Sequence, residues 1–460
     1  MDAENRMTEG SIGGKMIRFA IPLFIGNLFQ QLYNTADALI VGNLLGNDAL
    51  AAVSATGTLV FLLVSFFNGM YAGAGVVVSR YFGAKETDKV QAAIHTNVAV
   101  TIISGIILTV IGTAFTPTIL NWMGTPEDVM AQSVKYVQIY FAGGLGLVMY
   151  NSLRGIMQAL GDSRHPLHYL IFSSVLNVIL DLLFIGVFRM DVGGAALATI
   201  IAQFLSALLC LVRLMRSEEA YRLSLRKIRI DWPMFRLIIN YGLPSGLQNS
   251  VIAIANVVVQ SNINAFGTNA VSGCGAYSKI EGFAFLPITS FTIAITTFVG
   301  QNLGAKEYER TRKGAKIGIF CSLLLAEAVG IIVYIAAPFL IGLFTSEPEA
   351  IAFGVQKART CAIFYFLLAS SHCLAAVLRG VGKAVIPMAA MLICWCVIRV
   401  SILQICVPIF QSIAVVNWVY PITWPLSTAF LIVYYIKVDW MHGFDEKKPA
   451  RHHHVTHGVK

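Results

Sequence analysis

Asp37, Asn177 and Asp181 interrupt long apolar stretches of a 460-residue chain. A carboxylate at the centre of a membrane helix costs roughly 2.5–3.5 kcal/mol on insertion scales, so a chain that retains one generally uses it to bind or move an ion or a proton. Asn177 and Asp181 stand four residues apart and share a helix face. Asn27, Gln30 or Gln31, Asn34 and Asp37 recur at spacings of three and four and form one polar stripe. That stripe must meet protein or water rather than lipid. Thr199 places a hydroxyl on the next apolar segment. At about 1.5 Å per residue, Asp37, Asp181 and Thr199 each fall roughly 9–10 Å below the outer surface. Oxygen ligands from three helices at one level make a plausible cage for H⁺ or Na⁺. The plainer alternative is mutual hydrogen bonding that only holds the bundle together.

The elements that must position these groups follow from composition. The chain is 57% hydrophobic and 12% charged, against about 25% charged residues in soluble domains. Apolar stretches of about 20 residues, enough for a span, run almost end to end. The pattern predicts helices at 16–43, 49–79, 92–116, 134–156, 167–188, 193–215, 234–265, 271–300, 315–341, 356–378, 386–409 and 414–437. With the N-terminus inside, the inner segments hold 27 of the 33 Lys and Arg residues. The outer segments hold Lys135, Arg189, Lys357 and Arg359, and Lys279 and Arg399 fall within spans. The bias places both termini in the cytoplasm and accounts for the net charge of +9 without nucleic acid. The N-terminus is polar to about Gly14 with no cleavage site after the first apolar run, so the first span is expected to act as its own signal. The eight cysteines lie in or beside apolar runs and read as small buried hydrophobes.

An internal repeat organises the chain. Gly83-Ala84-Lys85-Glu86 recurs as Gly304-Ala305-Lys306-Glu307, and Gly46-x-x-Ala49 recurs at the same offset as Gly267-x-x-Ala270. Pro22 matches Pro244, Pro166 matches Pro387, and Leu153-Arg154-Gly155 matches Leu378-Arg379-Gly380. The expected fold is an all-α polytopic membrane protein, twelve transmembrane helices as two six-helix repeats around a central cleft. Its parts are a cytoplasmic segment (1–15), an N-lobe (16–216), a basic linker (217–233), a C-lobe (234–437) and a cytoplasmic tail (438–460). The linker could touch anionic lipid headgroups, although an interdomain connection whose charge sets topology is the simpler reading. The His-rich tail, RHHHVTHG, reads as a polar end rather than a metal site. At the repeat offset, Asp37, Asn177 and Asp181 fall on Val258, Ile398 and Ile402. The scaffold is duplicated and the acid site is single.

Other polar groups inside the spans are less distinctive. Glu281 is expected either to contact a cationic substrate or to pair with a neighbour such as Arg399. His372 reads as a packed core histidine. Gly-Ala-Lys-Glu has no phosphate-loop spacing and reads as a helix-ending turn with a charge anchor. Arg154 and Arg379 are read as opening the inner turns after the fourth and tenth spans. No nucleotide, zinc or nucleophile motif occurs, so neither an enzyme nor a primary ATPase is expected, and no cofactor beyond H⁺ or Na⁺ as coupling ion.

From about Met16 to Tyr435 the chain resembles the multidrug and toxic compound extrusion family. The resemblance is carried by Pro22 with Asp37-Ala-Leu-Ile-Val-Gly42, by Gly161-Asp162, by Asn177-x-x-x-Asp181 with Gly194-Ala195-Ala196-x-Ala198-Thr199, by Val299-Gly300-Gln301-Asn302-Leu303-Gly304-Ala305, and by Leu378-Arg379-Gly380. It implies two six-helix lobes and export of amphipathic, mostly cationic organic compounds in exchange for H⁺ or Na⁺. Asp37, Asn177, Asp181 and Thr199 match the cation-site positions of the family's DinF-like branch, whereas C-lobe acids of the NorM-like branch find no match here. Gln30, Tyr33, Asn34 and Glu281 are the candidate substrate contacts, and Pro22, which removes a backbone hydrogen bond, is the candidate bend of the first helix. A monomer in the bacterial cytoplasmic membrane is expected, with lipids and small organic substrates as its partners. A flippase for lipid-linked oligosaccharides is the alternative; it calls for a strongly cationic cavity, for which the spans offer only Lys279 and Arg399.

Overall fold

The computed structural model describes residues 6–122, 125, 127–217 and 221–441. The His-rich tail and part of the basic linker lie outside them. The described residues form no strand. The N-lobe comprises α1 (Ile12–Leu45), α2 (Asn47–Gly83), α3 (Thr87–Trp122), α4 (Glu127–Ala142), α5 (Gly144–Ala159), α6 (Arg164–Asp181) and α7 (Val192–Met215). The C-lobe comprises α8 (Trp232–Asn264), α9 (Thr268–Gly304), α10 (Tyr308–Gly342), α11 (Pro348–Ala362), α12 (Tyr365–Gly380), α13 (Val385–Met391), α14 (Arg399–Phe410) and α15 (Ile413–Lys437). Among the described residues nine helices are long and apolar enough to cross a membrane, or ten if α11 and α12, bent by 54°, count as one. The other two expected spans correspond to α2 and to the α4–α5 pair, broken at Gly143.

The duplication is visible in backbone conformation. Gly46 and Gly267 carry φ of 90° and 89°, Gly161 and Gly382 carry 89° and 80°, and Lys85 and Lys306 carry 60° and 61°. All three pairs stand at the repeat offset, so the duplication reproduces turns as well as spans. Gly46 combines its φ with a ψ of −176°, a region open essentially to glycine alone. Both Gly-Ala-Lys-Glu segments end a helix and reverse the chain, as their sequence suggests.

The apolar interior of the C-lobe takes in Met16, Phe19, Ala20 and Leu23 of α1, and one of the N-lobe takes in Met234 and Ile238 of α8; the outer faces of the helices present Ile106, Val110, Phe115, Ile332, Ile335 and Phe339. Such faces suit lipid, where a helix satisfies its own backbone. Where α4 meets α7, Lys135 pairs with Asp191 at 2.5 Å, and Asp191 caps α7 by accepting from the Gly193 amide. Partial burial works against ionisation of Asp191, but these bonds outweigh it and hold the carboxyl below the usual range.

The lobes meet where α2 lies along α8 and α9. At the end of the bundle nearest the N-terminus the approach is backbone to backbone. A Cβ on Gly83 would overlap the Gln301 carbonyl, and one on Gly304 the Arg80 carbonyl. Gln301 ties this end together: its Nε2 donates to the Ala159 carbonyl at 2.8 Å, and its Oε1 accepts from the Met7 amide at 3.0 Å.

One boundary differs from the sequence reading. The tenth span, expected to start at residue 356, begins at Pro348 and bends after Ala362. Lys357, assigned above to an outer loop, is therefore inside the lobe and 3% exposed.

Gly83→Ala is expected to lower the thermal unfolding temperature in detergent, whereas Gly275→Ala, whose Cβ would meet open space, leaves it unchanged. Gly46→Ala and Gly267→Ala are each expected to destabilise by about 1–3 kcal/mol. Equal melting temperatures for Gly83→Ala and Gly275→Ala would show that the lobes do not meet as described.

Candidate functional site: a buried acid cage and a central cavity

The last turn of α6 carries Asn177 and Asp181 toward Thr199 on α7 and Asp37 on α1. Asn177, Asp181 and Thr199 are 1%, 0% and 9% exposed. Asn177 Nδ2 donates to Thr199 Oγ1 at 3.4 Å, and the Thr199 hydroxyl donates to the Ala195 carbonyl at 3.1 Å. The carboxyls of Asp37 and Asp181 are neighbours where α1 packs against α6. Asp37 Oδ1, Asn177 Oδ1 and both carboxylate oxygens of Asp181 are buried with no donor from the protein.

An unsatisfied buried acceptor costs about 1–3 kcal/mol, and four in one place form an arrangement that needs something positive. The acceptors are all hard oxygens, which suit a proton or an alkali cation rather than a soft metal. Among the described residues no group of three His, Cys, Asp or Glu has metal-holding geometry. A cavity of ≈ 10 Å³ between Tyr33, Asn177, Thr199 and Gln203 adjoins the acids, near the lower limit for one water. Immediately after Asp181 the helix widens into a π-helical segment, Leu182–Val187. Such segments are frequent at functional sites, and nothing in the sequence marks this one. Thus all four residues read from spacing as a cation site are brought together.

The remaining candidates distribute differently. The polar face of α1 turns into the protein: Asn27 Nδ2 donates to Thr289 and Ser290 on α9 at 3.4 and 3.5 Å. Pro22 lies within an α1 that runs unbroken from Ile12 to Leu45. Gln30 is half-buried and Asn34 exposed.

Glu281 lies inside the C-lobe. Its Oε1 accepts from the Tyr277 hydroxyl at 3.1 Å, and that hydroxyl also bonds Tyr365 at 3.0 Å. Arg399 is not its ion-pair partner: the guanidinium donates to Thr423 Oγ1 at 3.0 Å and lies 4.5 Å from the Tyr420 ring centroid. Lys357 sits over Tyr277 and Tyr420 at 5.6 and 5.3 Å. Glu281 thus supplies the carboxylate of a buried cluster whose cations rest on aromatic faces, an assembly hidden from sequence by the misplaced span boundary.

Between the lobes is a cavity of ≈ 560 Å³. None of Gln30, Tyr33, Asn34 and Glu281 lines it: Tyr33 borders the small cavity beside α6 and α7, Asn34 is exposed, and Glu281 bonds Tyr277 inside the C-lobe. The walls come from α2, α5, α8, α9 and α12 and from the π-helical segment Leu392–Ile398. Arg154 and Arg379, assigned above to inner turns, lie within α5 and α12 and line the cavity. His372 lines it too, its ring edge-on to Phe285 at 4.9 Å and to Trp395 at 5.2 Å.

Duplicated helical lobes around a central cavity, with an acid pair buried in one lobe, define a membrane transporter. The MatE family model matches twice, over residues 22–183 and 244–404. The chain therefore belongs to this family, and the two matches start at Pro22 and Pro244, the prolines already paired by the repeat. It is 31% identical over 394 residues to the probable multidrug resistance protein YpnP of Bacillus subtilis, covering 85% of this chain and 88% of that one. It is 24% identical to an FAD transporter of Shewanella oneidensis, covering 76% and 78%. A MOP superfamily transporter from Pyrococcus furiosus superposes with a TM-score of 0.86 at 23% identity, covering 94% and 96%.

The C-lobe cluster makes an ordering testable. Glu281→Gln leaves two buried cations without a nearby carboxylate, whereas Lys357→Met removes one of the cations and keeps the carboxylate. Glu281→Gln is expected to be the more destabilising, because an uncompensated buried charge is costly. Thermal melts in detergent check it, and the reverse order would show that Glu281 is not the counter-charge.

Proposed function

We propose that the protein is a cation-coupled antiporter that exports small organic molecules across the bacterial cytoplasmic membrane by alternating access, with both termini in the cytoplasm. The observation that carries the reading is the set of four buried, unpartnered oxygens on Asp37, Asn177 and Asp181. Two neighbouring carboxylates in a low-dielectric site repel one another. One proton, or one Na⁺ held by Asp37, Asn177, Asp181 and Thr199, relieves the repulsion and draws α1 onto α6. Loss of that ion frees α1 to move.

The route from ion to substrate runs through α1. Asp37 lies in the cage near one end of the helix. Asn27, ten residues earlier, bonds Thr289, which also lines the central cavity. Pro22 lies nearer the other end and lowers the cost of bending. A shift of α1 on ion binding therefore reaches the cavity wall directly. A volume of ≈ 560 Å³ is within the roughly 300–1,000 Å³ of small-molecule sites. Relatives named as multidrug resistance proteins support export. The presence of an FAD transporter among the relatives supports leaving the sign of the substrate's charge to the cavity.

The test is dye flux in proteoliposomes under an imposed ΔpH or Na⁺ gradient. One gradient is expected to drive flux, and Asp37→Asn and Asp181→Asn are each expected to reduce it to the leak of empty vesicles. If Na⁺ is the ion, it should also raise the melting temperature of the parent and not of Asp181→Asn, since a ligand at 100 times its Kd stabilises by about 2.7 kcal/mol. Parent-like flux in both variants would overturn the proposal.

A further inference from the structure

We infer that the central cavity takes amphipathic organic anions, held by Arg154 and Arg379; this rests on the transporter reading and deepens it. The two arginines enter the cavity from opposite lobes, Arg154 on α5 and Arg379 on α12. Among the described residues lining the cavity there is no Asp or Glu. The acids of the molecule are elsewhere: Asp37 and Asp181 in the N-lobe cage, Glu281 under Tyr277. A cation in this cavity finds no counter-charge on its walls.

Nor do the arginines have partners of their own to neutralise them. Arg154 donates to Asn151 Oδ1 at 3.1 Å and lies 5.6 Å from the Tyr150 ring centroid, both uncharged. Arg379 has neither a hydrogen bond nor an ion pair among the described residues. Cations near a helix C-terminus are favoured by the helix dipole, and Arg379 occupies the last turn of α12. Arg154 does not occupy the last turn of α5, so the dipole does not account for it. Two half-buried guanidiniums aimed into one low-dielectric space focus a positive potential there. They are costly without an anion and strong with one.

The rest of the wall indicates what kind of anion. Guanidinium donors match the oxygens of phosphate and carboxylate. Phe285, Trp395 and His372, in edge contact with one another, add aromatic surface to the wall. The Trp395 indole is fixed by donating to Ser427 Oγ at 3.0 Å. Gln248 presents a buried, unpartnered Oε1 as an acceptor at the same cavity. A charged end for the arginines and a flat ring for the aromatic wall together describe an aromatic phosphate or carboxylate.

The experiment is equilibrium binding to the purified full-length protein in detergent, read by ligand fluorescence. The probes are flavin mononucleotide, riboflavin, which has the same ring without the phosphate, and ethidium, a planar cation. Flavin mononucleotide is expected to bind tightest and to weaken as salt rises, with riboflavin indifferent to salt. Arg154→Gln and Arg379→Gln are each expected to weaken it by about tenfold to a hundredfold, the range for a hydrogen bond to a charged group. Arg154→Lys, which keeps the charge, should retain more of the affinity than Arg154→Gln. Competition by AMP would point to soluble phosphates, and competition by phosphatidic acid alone to a lipid headgroup. Flavin mononucleotide binding no tighter than riboflavin, or ethidium tighter than either, overturns the inference. Binding in detergent needs no gradient: anion binding without gradient-driven flux would sink the antiporter reading alone, and gradient-driven ethidium flux lost in Asp181→Asn would sink the anion inference alone.

Discussion

Inside hydrocarbon a polar group has no water to turn to, and each one left unsatisfied costs several kcal/mol. The helices meet this demand for the backbone by themselves. Side chains cannot, and their positions record the constraint. Asn27 on α1 bonds Thr289 and Ser290 on α9. The hydroxyls of Ser371, Ser427 and Thr428 bond one another between α12 and α15. Lys357 and Arg399 rest on tyrosine and tryptophan rings beside one carboxylate. Against these groups, the bare oxygens of Asp37, Asn177 and Asp181 stand out because four of them gather on facing helices around two carboxylates, and the arginines of the cavity because no carboxylate shares their walls.

The duplication shows how one chain keeps these two regions apart. Both lobes share turns and glycines, and each has a π-helical segment in the corresponding span, at its end in the N-lobe and in its first half in the C-lobe. The N-lobe segment directly follows Asp181, while the C-lobe segment carries Trp395 to the central cavity. Identical scaffolds have thus taken opposite electrostatic characters: a net negative interior site in the N-lobe, and in the C-lobe a cluster with two cations and one acid. Each lobe contributes one arginine to the shared cavity. Glycines at the lobe seam let α2 and α9 approach at backbone distance, so a small shift of one lobe is felt by the other without intervening flexible side chains.

Much of this was legible in the amino-acid order. Apolar runs of membrane length, the inner bias of Lys and Arg and the constant offset between paired motifs specified helices, duplication and fold class, because hydrophobic length and repeat register are properties of the chain alone. The acid cage was legible too. Spacings of four within a helix fix a face, and residue counts from span ends fix a depth, so Asp37, Asn177, Asp181 and Thr199 could be set at one level before any contact was known. Tertiary structure decided which faces look at one another. Arg154 and Arg379 sit near span ends, where charge ordinarily means a cytoplasmic turn, and only the crossing of α5 and α12 with α2, α8 and α9 turns them into a cavity wall. Lys357 was hidden because a helix that begins at Pro348 and bends after Ala362 buries a residue that hydropathy counts as a loop. Gln30, Tyr33, Asn34 and Glu281 have the polarity of substrate contacts but not the direction. Linear spacing specifies position along a helix and around it, whereas the neighbour opposite, and hence the charge of a cavity, depends on how helices far apart in the chain are set against each other.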